Sequence, residues 1–234
     1  MEITLSIIIP CKNEEKYIGK LLSSLVEQKL PNYVEIIVAD NASTDNTISI
    51  IKEYLNILPN LRIIKGGLPS VGRNLGALEA RGDILLFLDS DVYFKDKTLI
   101  IDSLKVIMEK NIDILGCLLN IENNLVIKTI YGLCNVIFYL SKLDKPFVVG
   151  SYMMIDKSVF FKIGGFDETL MHCEDYFLSK EVNKDKYHIL NRYHYTDDRR
   201  FKKLGTINMV RYFASSLLQK NNKEHFKKDI GYWL

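Results

Sequence analysis

Cysteine is scarce and scattered in this chain. Cys11, Cys117, Cys134 and Cys173 form no C-x-x-C pair and no zinc-like spacing. That excludes a disulfide framework and a structural zinc ribbon, and it predicts reduced, mostly buried thiols of the cytosolic kind. Long apolar runs are missing too. The longest, Ile130 to Leu140, is broken by Gly132 and Asn135 and is too short to span a bilayer. No secretory leader is expected, because the chain runs almost at once into a β-branched segment. No G-x-G-x-x-G follows that segment, which removes the dinucleotide fingerprint of a dehydrogenase. Internal repeats and low-complexity tracts are absent, so one domain with a variable second half is expected. A cytoplasmic location follows, and no nucleic-acid partner is expected.

What is present is ordinary folded-protein composition, 47% hydrophobic and 26% charged over 234 residues, with a net charge of +2. The small net charge hides an asymmetry. Residues 199–234 carry nine Lys and Arg against Glu224 and Asp229, a net of +7, whereas residues 1–198 carry −5. A basic end on an acidic body points to an anionic partner for that end.

The organising stretch is Gly82 to Asp91. Ile84 to Leu88 is an unbroken apolar run of strand length, suited to a strand covered on both faces. It ends in Asp89-Ser90-Asp91, and carboxylates at a strand's carboxyl end sit where α/β sheets bind ligands. Two such oxygens suit Mn2+ or Mg2+, and hence a phosphate-bearing substrate. Before it come apolar runs at Ser6 to Pro10, Val34 to Ala39 and Leu61 to Ile64, alternating with helical periodicities. Ile18, Leu21, Leu22, Leu25 and Val26 mark the first helix, with Asn13 as its N-cap and Glu14 and Glu15 in its first turn. Ser43-Thr44-Asp45 is expected to cap a second, with Ile48, Ile51, Leu55 and Leu58 inward. Pro69 opens a third, with Val71, Leu75 and Leu78 inward. The pattern predicts an α/β fold with a doubly wound, mostly parallel sheet and a Rossmann-like nucleotide-binding half.

The second half reads as a helix over 99–108, a strand over 112–121 and an apolar segment over 127–143 able to wall a pocket. A strand follows over 147–155, then a short helix over 159–163 ending at Gly164-Gly165, and a strand over 193–196. Ile207, Val210, Phe213, Ala214, Leu217 and Leu218 give a final amphipathic helix, before Tyr232-Trp233-Leu234. Such a basic helix can pack on its own domain or lie on an anionic membrane surface. The expected division is 1–203 for the main domain (1–91 nucleotide-binding, 92–203 acceptor-side) and 204–234 for the tail.

Three strand ends converge on one rim: Pro10-Cys11-Lys12-Asn13, Asp40, and Asp89-Ser90-Asp91. Asp40 offers an acceptor to a base or ribose, and the N–H groups near Asn13 are expected to favour phosphate. Arg73 offers a cation and a planar face for a base.

Six motifs now stand in order: Ser6-Ile-Ile-Ile-Pro-Cys-Lys-Asn-Glu-Glu, Asp40-Asn-Ala-Ser-Thr-Asp45, Gly72-Arg-Asn, Leu86-Phe-Leu-Asp-Ser-Asp91, Gly164-Gly-Phe-Asp-Glu168 and Glu174-Asp175. Together, over about Ser6 to Arg200, they resemble the GT-A family 2 glycosyltransferases, which transfer a sugar from a nucleotide donor with inversion. The resemblance implies that Pro10, Lys12, Asn13 and Glu14 shape the nucleotide loop, that Asp40 reads the base and that Arg73 lies near it. It implies that Asp89 and Ser90 face the ribose or sugar, that Asp91 ligates metal with Asp89, and that Asp175, after Glu174, is the base. Arg199 and Arg200 are matched to arginines that approach the diphosphate, against a solvated turn as the plain reading. His194 is a candidate third metal ligand, against simple packing among aromatics. UDP-sugars lead as donor and GDP-mannose follows; a glycan or lipid-linked hydroxyl is the acceptor. The region from Cys117 to Tyr152 is expected to set the sugar, though no motif there names it. The alternatives are a haloacid-dehalogenase-like phosphatase using Asp89 or Asp91, which would not use Asp40, Arg73 or Asp175, and an inactive sugar-nucleotide-binding module.

Overall fold

The computed structural model describes residues 5–58 and 60–229. The terminal aromatics Tyr232 and Trp233, with Leu234, lie outside the described residues. The first half alternates strand and helix: β1 (Leu5–Cys11), α1 (Ile18–Val26), β2 (Val34–Asp40), α2 (Thr47–Glu53), β3 (Leu61–Lys65), α3 (Pro69–Glu79) and β4 (Ile84–Leu88). Then come α4 (Leu99–Lys110), β5 (Ile114–Asn120), α5 (Leu125–Ser141), β6 (Tyr152–Asp156), α6 (Lys157–Lys162), α7 (Glu174–Ser179), β7 (Tyr187–Tyr195), α8 (Arg199–Leu204) and α9 (Thr206–Leu218).

The strands form one seven-stranded sheet in the order β3-β2-β1-β4-β6-β5-β7. All neighbours are parallel except β6, which runs antiparallel to both β4 and β5. The mostly parallel, helix-covered sheet read from the apolar runs is therefore present. Its cause is visible in the side-chain alternation. In β1, Ile7 and Ile9 enter the core under α1 and α4, while Ile8 enters the opposite core. In β4, Leu86 and Leu88 divide from Leu85 and Phe87 in the same way. Register pairs Cys11 with Asp40 and Ile8 with Phe87, so the carboxyl ends of β1, β2 and β4 reach a common rim.

Four local expectations are corrected. Asn13 does not cap α1; it takes a left-handed turn at φ 53°, and α1 begins only at Ile18. The inner face of α3 is Ser70, Gly72, Arg73, Gly76 and Ala77, with Leu78 66% exposed. Small residues win there because the helix lies tight on the sheet: a Cβ on Gly76 would stand 2.4 Å from Ile8 Cγ2. The strand expected from Phe147 starts only at Tyr152, leaving 147–151 as irregular chain at the rim. In α2, Leu55 lies beyond the helix end and is exposed.

Helix α5 is tied to β5 by a buried asparagine. Asn135 accepts from Leu119 N at 2.9 Å and donates to Leu119 O at 2.9 Å. Two residues of the stretch after 204 are packed on the rest of the chain: Met209 is buried with Tyr131 and Phe201, and Phe226 with Leu170 and Phe177.

Candidate active site

The rim loops after β1 and β2 are laced together. Asn13 N donates to Ser43 Oγ (2.9 Å), Glu14 N to Thr47 Oγ1 (2.7 Å) and Glu15 N to a carboxylate oxygen of Asp45 (3.2 Å). Asn13 Oδ1 in turn accepts from Thr44 N at 2.8 Å. The N–H groups expected to cradle phosphate are thus already spent on the second loop, and no helix begins at Asn13. Asp40, at the end of β2, accepts from Ser43 N (3.0 Å) and Ser43 Oγ (2.5 Å) and stays partly exposed at the rim. Pro10 is buried, with Gly72 packed against it, while Lys12 is exposed.

Beyond β4 lies a buried ionic cluster. Asp89, Ser90 and Asp91 occupy a turn just past the strand and are all buried. Arg73, 1% exposed, donates from Nη2 to Asp89 Oδ1 (2.6 Å) and from Nη1 to Glu174 Oε1 (2.5 Å). Arg200 Nη2 lies 3.6 Å from Asp89 Oδ2. Arg199 reaches Glu14 Oε2 with Nη1 (2.6 Å) and Asp91 Oδ2 with Nε (3.0 Å). Burial works to raise the Asp89 pKa, but Arg73 and then Arg200 outweigh it and hold the carboxyl below its ordinary value. Burial prevails at Glu14, whose pKa is raised despite Arg199.

Arg73 therefore does not offer a free face to a base. Its two Nη atoms join a carboxylate from each half of the chain, and its guanidinium stands 5.2 Å from the Phe166 ring. The neighbouring Asn74 holds the segment carrying that ring, accepting from Phe166 N (2.9 Å) and donating to Phe166 O (2.8 Å) and Glu168 Oε1 (2.9 Å). Two motifs some 90 residues apart are thus one clamp.

Asp175 sits in the first turn of α7. Its Oδ2 accepts from Gly150 N at 2.8 Å and its Oδ1 from Tyr176 N at 2.8 Å. Loss of hydration, then the charge of Glu174, lifts its pKa from 3.8 to about 7, against the pull of those N–H groups and Arg73. Gly150 was not among the residues singled out from sequence. Its signal is the glycine in Val148-Val-Gly-Ser151, where a Cβ would stand 2.9 Å from Arg73 Nη2.

His194 packs among aromatic and polar side chains. Its Nδ1 faces Cys117 Sγ at 3.1 Å, its Nε2 faces Ser151 Oγ at 2.8 Å, and its ring stacks on Tyr152. Burial lowers its pKa to about 4, which favours the neutral ring, and both ring nitrogens face side-chain partners. Among the described residues, no three His, Cys, Asp or Glu side chains converge to hold a metal. One oxygen nonetheless fits a divalent ion: Asp91 Oδ1 is buried and has no hydrogen-bond partner. Mg2+ and Mn2+ are commonly held by one or two carboxylates together with substrate phosphates, so a single protein oxygen is a sufficient anchor.

The cluster closes the inner end of a cavity of about 380 Å3. Arg73, Asp89, Glu174, Asp175 and Arg200 line that end, and apolar residues of α5, α7 and α9 line the walls. The segment expected to wall a pocket, α5, does so.

Comparison with known proteins agrees with this geometry. The poly(ribitol-phosphate) beta-N-acetylglucosaminyltransferase TarS of Staphylococcus aureus is 41% identical over 99 residues, which are 40% of this chain and 17% of that protein. The chain therefore matches only about a sixth of that curated relative. The crystal structure of S. aureus TarS 1-349 with UDP-GlcNAc superposes with a TM-score of 0.68 at 27% identity, covering 83% of this chain and 58% of that one. A Pyrobaculum calidifontis mannosyltransferase in complex with GDP-Man and Mn2+ shares the fold, with a TM-score of 0.68 at 17% identity over 93% of this chain and 65% of that one. The glycosyl transferase family 2 model matches residues 6–164, from the first strand to the glycine pair after α6. With that match over more than half its length, and the sheet to go with it, the chain belongs to glycosyl transferase family 2 and has the GT-A fold.

Proposed function

We propose that this protein transfers a sugar, with inversion, from a nucleotide-sugar donor to a hydroxyl acceptor, with Asp175 as general base. The observation that carries the proposal is a partly buried carboxyl whose pKa is lifted to about 7, lining the same cavity as Asp89 and Arg73. A base that must ionise at physiological pH and then take a proton works best with such a pKa. The acceptor hydroxyl gives its proton to Asp175 as its oxygen attacks the anomeric carbon. The bond from that carbon to the diphosphate breaks, and negative charge collects on the leaving group. Arg199 and Arg200, which meet carboxylates at the rim, are the cations positioned to receive it. A Mn2+ or Mg2+ ion held by Asp91 Oδ1 would neutralise further diphosphate charge when bound.

Asp40 and the laced loops around Asn13 and Glu14 are proposed to seat the nucleoside, with UDP-sugars favoured because the TarS structure holds UDP-GlcNAc. GDP-mannose is second, and the acceptor is a glycan or lipid-linked hydroxyl. Family membership and three strands ahead of Asp89 speak against the phosphatase reading. The retained Asp91 and Asp175 speak against an inactive module. No described helix is long and apolar enough to cross a membrane; a cytoplasmic, peripheral placement is part of this proposal.

The test is calorimetric binding of UDP and of GDP, each with and without Mn2+. UDP binding strengthened by Mn2+ is expected. Preference for GDP would overturn the reading of Asp40, and binding of neither would overturn the nucleotide site.

A further inference from the structure

The cavity that ends at Asp175 is built for a different substance from the one that meets the ionic cluster. Away from the cluster its walls are Tyr131, Phe138, Phe147, Met209, Phe213 and Phe226, from α5, the chain before β6, α9 and the segment after it. Ser141 and Ser216 also line that path, but the apolar side chains predominate, so a glycan or polyol entering along it would set most of its hydroxyls against aromatic and aliphatic carbon, where they lose water without a new partner. An alkyl or isoprenoid chain would lose nothing of that kind, and would gain with every methylene covered. The volume of about 380 Å3 is within the range of small-molecule sites.

The rim carries the same message. Leu140 of α5, 57% exposed, and Leu217 of α9, 44% exposed, both line the cavity and both reach solvent. Beyond them α5 presents Leu133 and Val136, and α9 presents Leu218, all exposed. Lys145 is exposed and lines the same cavity, and Lys220, partly exposed, lines it in an ion pair with Asp144 at 2.9 Å, so two cations, one of them paired, stand beside the apolar opening. Apolar side chains flanked by lysines suit the boundary of an anionic lipid surface.

We infer that the acceptor is an amphiphile: its hydroxyl lies at Asp175, and the apolar chain attached to it runs between α5 and α9 to an opening on a lipid surface. This rests on the transferase reading of the same site and selects one acceptor class within it.

Binding of alkyl β-glucosides from butyl to dodecyl, below their micellar concentrations and with UDP and Mn2+ present, tests the inference. Affinity is expected to rise about 3- to 4-fold per methylene, the fold-change of about 0.8 kcal/mol, until the cavity is filled. Leu140→Gln and Leu217→Gln, at exposed positions that leave the buried core alone, are expected to weaken the octyl glucoside about 10-fold and leave UDP binding unchanged. A second arm embeds dodecyl glucoside in phosphatidylglycerol vesicles. Co-sedimentation there is expected, and binding only in free solution would overturn the opening on a lipid surface. Chain-length independence, or equal binding of glucose and cello-oligosaccharides, would overturn it while UDP binding in the same titration still held. Loss of UDP binding itself would instead bring down the transferase reading.

Discussion

Asp175→Asn separates the work of this carboxyl from its burden on the fold. The pKa rises from 3.8 to about 7 on burial beside Glu174. At ~1.4 kcal/mol per unit, ionising it inside the folded protein costs on the order of 4 kcal/mol. The sign follows from which state holds the proton more tightly. The folded pKa is the higher one, so the stabilisation is complete below pH ~4 and is lost as pH rises through about 7. Asparagine cannot ionise and escapes that loss. It has its own cost, because the N–H groups of Gly150 and Tyr176 meet one oxygen and one NH2 instead of two oxygens. An unsatisfied buried donor costs ~1–3 kcal/mol. The variant is therefore expected to be the less stable protein at pH 4 and the equal or more stable one above pH ~8, with the two curves crossing between. Urea unfolding across that range reads the crossing, and transfer assays should show a fall of roughly 10^2- to 10^4-fold with UDP affinity kept. Parallel stability curves would refute the raised pKa, and surviving transfer would refute the base.

Other outcomes follow from the same cluster. Transfer by the parent enzyme should rise with pH through about 7, as Asp175 gives up its proton, and a flat profile from pH 5.5 to 8 would oppose that role. Asp91→Ala should abolish the Mn2+-dependent part of UDP binding and spare the rest, since the partnerless oxygen is the proposed anchor. Arg73→Met should leave Asp89 and Glu174 as buried charges with a partner lost, destabilising the fold by ~3–5 kcal/mol; thermal unfolding should fall on the order of 10 °C, and a shift below ~2 °C would deny the bridge its weight. Gly76→Ala should cost ~1–3 kcal/mol by overpacking against Ile8, measured by denaturant midpoint.

The nucleotide half was legible because strands covered on both faces leave uninterrupted apolar runs, as at Ile84 to Leu88. Their ends then locate the rim without further information. Helix α3 was misread because its packing face is defined by what is missing: Gly72 and Gly76 let the backbone approach, and periodicity of large apolar residues cannot show that. The side-chain partners of Arg73 and His194 were illegible for a different reason. Glu174 lies 101 residues from Arg73, and Cys117 lies 77 from His194. Only the folded topology says which of many polar groups at such separations meet. The antiparallel β6 was also illegible, since an apolar run carries no direction.

That reversed strand has a consequence for how the protein can change. Because β6 runs against its neighbours, its beginning, not its end, opens on the rim. Residues 142–151, ahead of Tyr152, supply Gly150 to Asp175, Ser151 to His194 and Phe147 to the cavity wall. The first of them, residues 142–145, are exposed while Val148 is buried in the core, and doubling an exposed span costs only ~0.6 kcal/mol in closure entropy. Insertions there would reshape the acceptor side while leaving the register of β1, β2 and β4 as it is. One frame can thus carry many acceptor preferences, with the variation confined to the exposed residues ahead of Val148.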